Sequence, residues 1–296
     1  MKKTVLAVAA LVASSVTFAH NHDRFANVKI ESTQVTDGIY MLKGAGGNLG
    51  LSIGEDGTFL IDDQFAPLAD RIAAAIKKLG GDTPKFLLNT HWHGDHTGGN
   101  EHFGNAGSII VAHDNVRKRL TTEQFVKAFN MKSPPQPKAA LPVVTFSHTM
   151  TLHWNGDELN AVHVGNAHTD GDSFVVFKNA NVIHTGDLYF AGMYPFIDPD
   201  SGGSIAGVVK AVDKMLAHSD DNTKIIPGHG PLSNKAELQK YRDMLATVHK
   251  RIKALKDQGK TEEETVAAKP TADLDAVWNG GFLKADNWVG IIYRGI

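Results

Sequence analysis

Six consecutive residues carry the strongest chemical signal in this sequence. They read His91-Trp92-His93-Gly94-Asp95-His96 and place four potential metal ligands in one short segment. Zinc binds imidazole nitrogen and carboxylate oxygen at about 2.0–2.2 Å. A tight loop, in which Gly94 gives the backbone its freedom, can aim His91 and His93 at one ion. The Asp-His pair that follows can then turn toward a second ion.

Three later residues extend this site, because each is a ligand type on a glycine-containing loop at the end of a predicted strand. They are His168, Asp187 and His229. Each would be a weak signal alone, since single histidines are usually surface or satisfied core residues. In this order, and after the six-residue run, they specify a metal site. A thiolate ligand is excluded, because the chain has no cysteine.

The elements that must position these ligands follow from the hydrophobic pattern. A short buried strand at 86–88 leads directly into His91, and residues 67–79 have helical apolar spacing that ends at Gly80-Gly81. Asn155-Gly156 predicts the turn of a hairpin. Strands and helices alternate in both halves of the chain, which predicts a layered α/β domain. The other predicted elements are strands at 28–30, 39–42, 58–61, 108–112, 149–154, 159–164, 173–177, 182–185 and 224–226, helices at 114–130, 204–217 and 235–256, and a less regular C-terminal tail.

The first nineteen residues have the pattern of a secretory signal peptide. Lys2 and Lys3 precede an apolar stretch at 5–16, and Ala19 is a small residue at the expected cleavage point. The stretch is shorter than the roughly 20 residues that a membrane-spanning helix needs. We therefore expect a signal peptide over 1–19, a single domain over 20–296, and a periplasmic or secreted protein with no membrane contact after cleavage.

The composition limits the classes of partner. The formal charge of −2 comes from 30 basic and 32 acidic residues, and no basic cluster indicates a nucleic-acid surface. The expected partner is a small-molecule substrate, and the oligomeric state is not readable from the sequence. Without cysteine, an exported chain must draw its stability from its core and from bound metal rather than from disulfides.

On these motifs the sequence resembles the metallo-β-lactamase-fold hydrolase superfamily, from about residue 35 to residue 235. The resemblance implies a four-layer αβ/βα sandwich with two Zn²⁺ ions at one edge of its two sheets. Manganese or iron could occupy the same oxygen- and nitrogen-rich site. The implied ligands are His91, His93 and His168 for one ion, Asp95, His96 and His229 for the other, and Asp187 as a bridge between them.

The chemistry that the resemblance implies is hydrolysis. Two zinc ions about 3.5 Å apart can share a hydroxide whose pKa they pull toward neutrality. The hydroxide attacks an electrophile such as a carbonyl, and Asp95 is expected to act as a catalytic residue that orients it. The leading hypothesis is a secreted binuclear zinc hydrolase that cleaves a small ester, lactone, thioester or amide.

Other functions stay open, because this fold hosts many reactions. The first alternative is a periplasmic β-lactamase, although Asp187 is typical of the glyoxalase-II-like, lactonase and phosphodiesterase branches. The second is a mononuclear-iron oxygenase resembling persulfide dioxygenases, and the third is a non-catalytic metal-binding protein of the cell envelope. His93 stands where flavodiiron oxygen reductases carry a glutamate, which favours zinc over a redox di-iron centre.

Several residues near the ligands have less certain roles. Asp62, at the end of an early strand, is expected to support a ligand histidine. His184 is interpreted as structural because it alternates away from Asp187 along a strand. The aromatic segment 189–196 fits either core packing or a wall of the substrate pocket. Residues 114–145 fit a lid over the site.

Overall fold

The computed structural model describes residues 24–296, in which two β-sheets pack face to face between helices. The predicted signal peptide over 1–19 lies outside the described residues. Within them, no helix is both long and apolar enough to cross a membrane. The strands are β1 (Glu31–Thr36), β2 (Ile39–Lys43), β3 (Leu49–Gly54), β4 (Gly57–Ile61), β5 (Phe86–Asn89), β6 (Ile109–His113), β7 (Gln124–Val126), β8 (Met131–Ser133), β9 (Val144–Phe146), β10 (Thr149–Trp154), β11 (Asp157–His163), β12 (Ser173–Phe177), β13 (Val182–His184), β14 (Lys224–Ile226) and β15 (Ser233–Asn234).

Nine α-helices accompany these strands in the part of the chain from residue 24 onward. Their bounds are α1 (Ala69–Lys78), α2 (Gly94–Thr97), α3 (Asn100–Asn105), α4 (Asp114–Leu120), α5 (Ile205–Ala217), α6 (Lys235–Asp257), α7 (Glu262–Ala267), α8 (Asp275–Trp278) and α9 (Ala285–Arg294).

The first sheet has the strand order β1-β2-β3-β4-β5-β6-β9, and the second has the order β10-β11-β12-β13-β14-β15. In the first sheet β1 to β4 pair antiparallel, whereas β4, β5, β6 and β9 run parallel. In the second sheet β10 to β13 form an antiparallel meander, and β14 adds in parallel to β13. Strands β7 and β8 form a separate hairpin.

Three apolar layers hold the sandwich together. The layer between the sheets joins side chains such as Phe59 and Leu88 to Phe177 and Ile226. A second layer packs α1 and α3 on the first sheet, through residues such as Ile72. The third packs α5, α6 and α9 on the second sheet. The order helix, sheet, sheet, helix is the four-layer αβ/βα sandwich that the sequence predicted.

The topology explains why the candidate ligands meet. Strands β4 and β5 are parallel, so Asp62 and His91, which follow them, leave the first sheet at the same edge. Strands β13 and β14 are parallel as well, so Asp187 and His229 follow strands that end at one edge of the second sheet. The loop from β11 to β12 brings His168 to the same place.

Three predicted elements differ from the structure. The strand expected at 28–30 is absent, and the first strand begins at Glu31. The helix expected over 114–130 ends at Leu120, and the chain then forms the β7–β8 hairpin. The C-terminal tail is more regular than expected, because α7, α8 and α9 bury Trp278 and Trp288 against α6 and the second sheet.

Candidate metal centre

The structure brings all seven predicted ligands together at the edge of the two sheets. The side-chain donor atoms form two groups, and within each group they lie within 4.8 Å of one another. The first group is His91, His93, His168 and Asp187; the second is Asp95, His96 and His229.

The carboxylate of Asp187 belongs to the first group but also reaches the histidines of the second. Its Oδ1 is 3.0 Å from His96 Nε2 and 3.4 Å from His229 Nε2. Its Oδ2 is 3.8 Å from His91 Nε2 and 3.5 Å from His168 Nε2. One oxygen therefore faces each group, which is the arrangement that a bridging carboxylate requires.

The donor spacing fits a small divalent cation. Ligands at about 2.1 Å in a tetrahedral shell lie about 3.4 Å from each other. In the first group His93 Nδ1 is 3.2 Å from His91 Nε2 and 2.9 Å from His168 Nε2. In the second group Asp95 Oδ2 is 3.6 Å from His96 Nε2 and 3.3 Å from His229 Nε2.

Unpartnered polar atoms point to the same conclusion. His96 Nε2 and Asp187 Oδ1 are buried, and neither has a hydrogen-bond partner. The two atoms are 3.0 Å apart but are not aligned for a hydrogen bond with each other. Buried polar atoms without partners are costly, and a shared cation would satisfy both.

The other ring nitrogen of four histidines is held by a partner outside the donor groups. His96 Nδ1 donates to Asp62 Oδ2 at 2.8 Å, and His168 Nδ1 donates to the carbonyl of Phe196 at 2.8 Å. His93 Nε2 lies 3.1 Å from Asp198 Oδ2, and His91 Nδ1 lies 3.1 Å from the hydroxyl of Thr90. Such contacts fix the tautomer and the ring orientation of metal-binding histidines, so the free nitrogen of each ring faces the site.

Asp62 occupies the supporting position that the sequence predicted. Its side chain is fully buried and also accepts hydrogen bonds from the Thr90 amide and hydroxyl, both at 2.8 Å. Because Thr90 contacts His91 in turn, this carboxylate supports one histidine of each donor group.

Asp198 was not predicted. It is fully buried, and 105 residues separate it from His93 in the sequence. Its backbone is fixed by the site loop, since its amide donates to the carbonyl of His168 at 2.9 Å. The sequence contains no motif around Asp198 that would have revealed this contact.

Two glycines allow the ligands their close approach. A Cβ atom at Gly47 would overlap the imidazole ring of His96, and one at Gly228 would overlap Oδ1 of Asp187. Asn48, next to Gly47, donates from its side chain to the carbonyls of Pro227 and Gly230 at 2.9 Å. The first sheet is thus tied to the loop that carries His229.

The charges of the second group are strongly coupled. Burial alone would lower the pKa of His96, but the carboxylates of Asp187, Asp95 and Asp62 outweigh it and raise that pKa. For His229, burial is likewise outweighed by Asp187 and Asp95, and the pKa rises to about 9. The pKa of Asp187 is held well below its ordinary value, because the positive charges of His96 and His229 outweigh its burial.

In the first group, burial lowers the pKa of two of the histidines. Burial is the largest effect on His168 and lowers its pKa to about 4, and the pKa of His91 is lowered for the same reason. Neutral imidazoles have a lone pair ready for a metal. In the second group a cation must displace protons, so binding there should depend more strongly on pH.

Two of the remaining expectations concern His184 and the aromatic segment 189–196, which lie next to the ligands. His184 is structural, since its ring bonds to the carbonyl of Asn48 and the amide of Gly186. In the aromatic segment 189–196, Tyr189 and Tyr194 are buried in the core. The ring of Phe196 instead lies 5.8 Å from those of both His93 and His168. The segment therefore serves as core at one end and as a wall of the site at the other.

Comparison with known proteins identifies the family. The profile of the metallo-beta-lactamase superfamily matches residues 44–229, more than half of the chain. The protein belongs to this superfamily. Its members are metal-dependent hydrolases, and so is this protein. No curated protein sequence matches the chain.

Solved structures share the fold of this protein at low sequence identity. A metallo-β-lactamase from Pontibacter korlensis is 19% identical with a TM-score of 0.58, covering 74% of this chain and 99% of that one. The DIM-1 metallo-β-lactamase is 18% identical with a TM-score of 0.60 and the same coverage, 74% and 99%. The sec-alkylsulfatase Pisa1 from Pseudomonas sp. is 18% identical with a TM-score of 0.68, and covers 90% of this chain but 50% of its own. These likenesses establish the fold and leave the substrate open.

Proposed function

We propose that this protein is an exported binuclear zinc hydrolase that cleaves a small ester, lactone, thioester or amide. The observation that carries the proposal is the position of Asp187, whose two oxygens face two separate donor groups. A carboxylate in this position can bind one ion through each oxygen. Two Zn²⁺ ions match a donor set of imidazole nitrogens and carboxylate oxygens without thiolates.

The residues assigned to the ions are those of the two donor groups. His91, His93 and His168 would hold one ion, and Asp95, His96 and His229 the other, with Asp187 shared. Bound zinc would act as a Lewis acid and lower the pKa of a water molecule toward neutrality.

The chain's own groups indicate where substrate enters. The side chains of Asp95 and His229 are 26% and 21% exposed, whereas those of the other five ligands are nearly buried. Electrostatic attraction to His96 and hydrogen bonding to His229 outweigh burial and lower the pKa of Asp95 to about 2, so its carboxylate is ionised at neutral pH. We assign to Asp95 the role of accepting a hydrogen bond from the attacking water at this exposed side of the site.

The test combines metal analysis with a turnover panel on the purified mature protein loaded with zinc. The panel contains an aryl ester, a lactone, a thioester, an anilide, a phosphodiester, a secondary alkyl sulfate and a chromogenic cephalosporin. We expect two zinc ions per chain and chelator-sensitive hydrolysis of an ester, lactone, thioester or amide. One iron per chain, or two zinc ions without any turnover in the panel, would refute the proposal.

Variants make the metal assignment specific. His229→Ala should lose the second ion and most of the activity. His102→Ala is the matched control, because that histidine lies on α3, is partly exposed and pairs with Asp70 outside the site. Equal losses in the two variants would contradict the assignment.

The β-lactamase alternative is decided by the same panel. Two structures that share the fold are metallo-β-lactamases, but their low identity supports the fold only. Rapid, chelator-sensitive opening of the cephalosporin, faster than any ester or lactone, would replace the leading proposal with this one.

Export is a separate part of the proposal and rests on residues 1–19 alone. We expect expression of the full chain in a Gram-negative host to give a periplasmic protein whose N-terminus is His20. Cytoplasmic retention of a chain that still begins at Met1 would contradict it.

A further inference from the structure

A line of three phenylalanine rings runs outward from the metal centre. Phe196, which lies 5.8 Å from the His93 and His168 rings, has its ring centre 4.7 Å from that of Phe129. The ring of Phe129 lies 6.2 Å from that of Phe282. The three residues come from three separate segments: the loop after β13, the β7–β8 hairpin, and the turn before α9.

The two outer rings are exposed. Phe129 is 43% and Phe282 is 59% accessible to solvent, although each has a neighbouring aromatic ring. Exposed apolar side chains that cluster next to a polar site are typical of binding surfaces rather than of ordinary surface. Phe196, in contrast, is buried, so the line leads from an enclosed site to an open surface.

The hairpin that carries Phe129 is fixed in place. The ammonium of Lys127 lies 2.9 Å from Asp200 Oδ1, and the Lys127 amide donates to Asp200 Oδ2 at 3.1 Å. Asp200 follows shortly after Asp198, which supports His93. The tip of the hairpin is therefore anchored to the same loop that forms the wall of the site.

A groove continues the line beyond Phe129 and Phe282. It is an open cavity of about 830 Å³ between the hairpin and the C-terminal helices. Apolar groups of Val266, Leu283 and Ile291 contribute to its lining. Its charged side chains largely neutralise each other, since Lys269 pairs with Asp286 and Arg294 pairs with Glu262.

We propose that Phe196, Phe129 and Phe282 bind an apolar acyl or alkyl chain of the substrate, and that the preferred substrates carry a long aliphatic tail. The inference rests on the proposed hydrolase function and adds the substrate class. Continuity with the metal centre favours a substrate over a second copy of the chain, because the line begins at two ligand histidines. The paired charges of the groove favour an uncharged tail over a charged one.

The kinetic test is a series of aryl esters from acetyl to decanoyl. Burial of one methylene raises kcat/KM by at most about fourfold, and a partly open groove should give about twofold per methylene. In Phe129→Ala and Phe282→Ala the ratio of kcat/KM for the decanoyl ester to kcat/KM for the acetyl ester should fall sharply. Phe282→Leu should keep most of the wild-type ratio, because leucine retains an apolar side chain. A ratio that does not rise with chain length in the wild type would overturn the inference.

Phe125→Ala is the matched control. Phe125 lies on the same hairpin and is 43% exposed, as Phe129 is, but it is not part of the line of rings. We expect its chain-length ratio to equal that of the wild type. An equal loss in Phe125→Ala and Phe129→Ala would contradict a specific role for Phe129.

A binding measurement separates this inference from the proposed function. Titration of the metal-free protein with hexanoate and decanoate should give tighter binding of decanoate, and Phe129→Ala should remove the difference. If chain-dependent binding is found but no ester is cleaved, the hydrolase proposal fails and the binding surface stands. If esters are cleaved without chain dependence, only the inference fails. A dimer that dissociates in Phe129→Ala would instead assign the surface to subunit contact and overturn it.

Discussion

Replacement of Asp62 by asparagine tests how the fold prepares both donor groups. The carboxylate accepts three hydrogen bonds, two from Thr90 and one from His96, in a fully buried position. Asparagine has nearly the same shape but offers one acceptor oxygen and one donor nitrogen. In either orientation of the amide, its NH₂ group faces a donor.

The effect on metal binding depends on whether the NH₂ group of the asparagine faces His96 Nδ1 or the amide of Thr90. If the amide nitrogen faces His96, Nδ1 of that ring must become an acceptor, and the proton moves to Nε2, which points into the second donor group. If the amide is reversed, it opposes the N–H of Thr90. A buried group left unsatisfied costs about 1–3 kcal/mol. That cost corresponds to a loss of about tenfold to 100-fold in metal affinity, the range found when supporting carboxylates are removed.

The assay is competition with a chromophoric chelator, which resolves the two binding steps, together with a thermal melt to show that the variant folds. We expect Asp62→Asn to weaken binding of the ion held by the second donor group, which contains His96, by about tenfold to 100-fold. Thr90→Val should mainly weaken binding of the ion held by the first donor group, because the Thr90 hydroxyl contacts His91 of that group. Asp63→Asn is the matched control: Asp63 is equally buried, but its Oδ1 accepts from the Gly99 amide and its Oδ2 has no partner. A folded Asp62→Asn variant with both wild-type affinities would refute the reasoning.

Three further predictions concern the bridge, the packing and the pH dependence. Asp187→Ala should weaken the second metal and sharply reduce hydrolysis; two tightly held metals and full activity after dialysis would contradict the bridging assignment. Gly47→Ala should lower the free energy of unfolding by about 1–3 kcal/mol and reduce metal affinity, because the added methyl group overlaps the His96 ring. Urea unfolding measures the stability, and chelator competition measures the affinity. Unchanged values of both would show that the His96 ring can move out of the way. Burial, assisted by the charge of His113, lowers the pKa of His163 from 6.5 to about 4. Between these pH values the unfolded state therefore binds more protons than the folded state. The folded protein should lose stability as the pH falls from about 6.5 to about 4. The melting temperature of the metal-free protein should fall less over this range in His163→Gln, and parallel curves for the two proteins would exclude that contribution.

The candidate ligands could be predicted because their signal is local. His91 to His96 lie in one loop, and the other three follow short apolar strands that the hydrophobic pattern reveals. The hairpin turn at Asn155-Gly156 was predicted for a similar reason, and both residues have positive φ, 53° and 75°. Such features depend on a few neighbouring residues, which is what a single sequence displays.

The missing parts depend on contacts between distant residues. Asp198 supports His93 across 105 positions, and nothing in its own segment distinguishes it from a surface aspartate. The helix predicted over 114–130 stops at Leu120, and the β7–β8 hairpin that replaces its second half is held by Asp200. Tertiary contacts therefore overrode the local helical pattern, and the exposed Phe129 beside the site became visible only in the structure.

The position of the donor groups connects stability with function in this cysteine-free chain. His91, His93, Asp95 and His96 follow a strand of the first sheet, whereas His168, Asp187 and His229 follow strands of the second. Each donor group contains residues from both sheets. A bound divalent metal therefore links the two halves of the sandwich at the edge where they open to solvent, and its binding free energy adds to that of folding. The same buried carboxylates that hold the ligands in place, Asp62 and Asp198, belong to opposite halves, so the geometry of the site depends on the packing of the sheets.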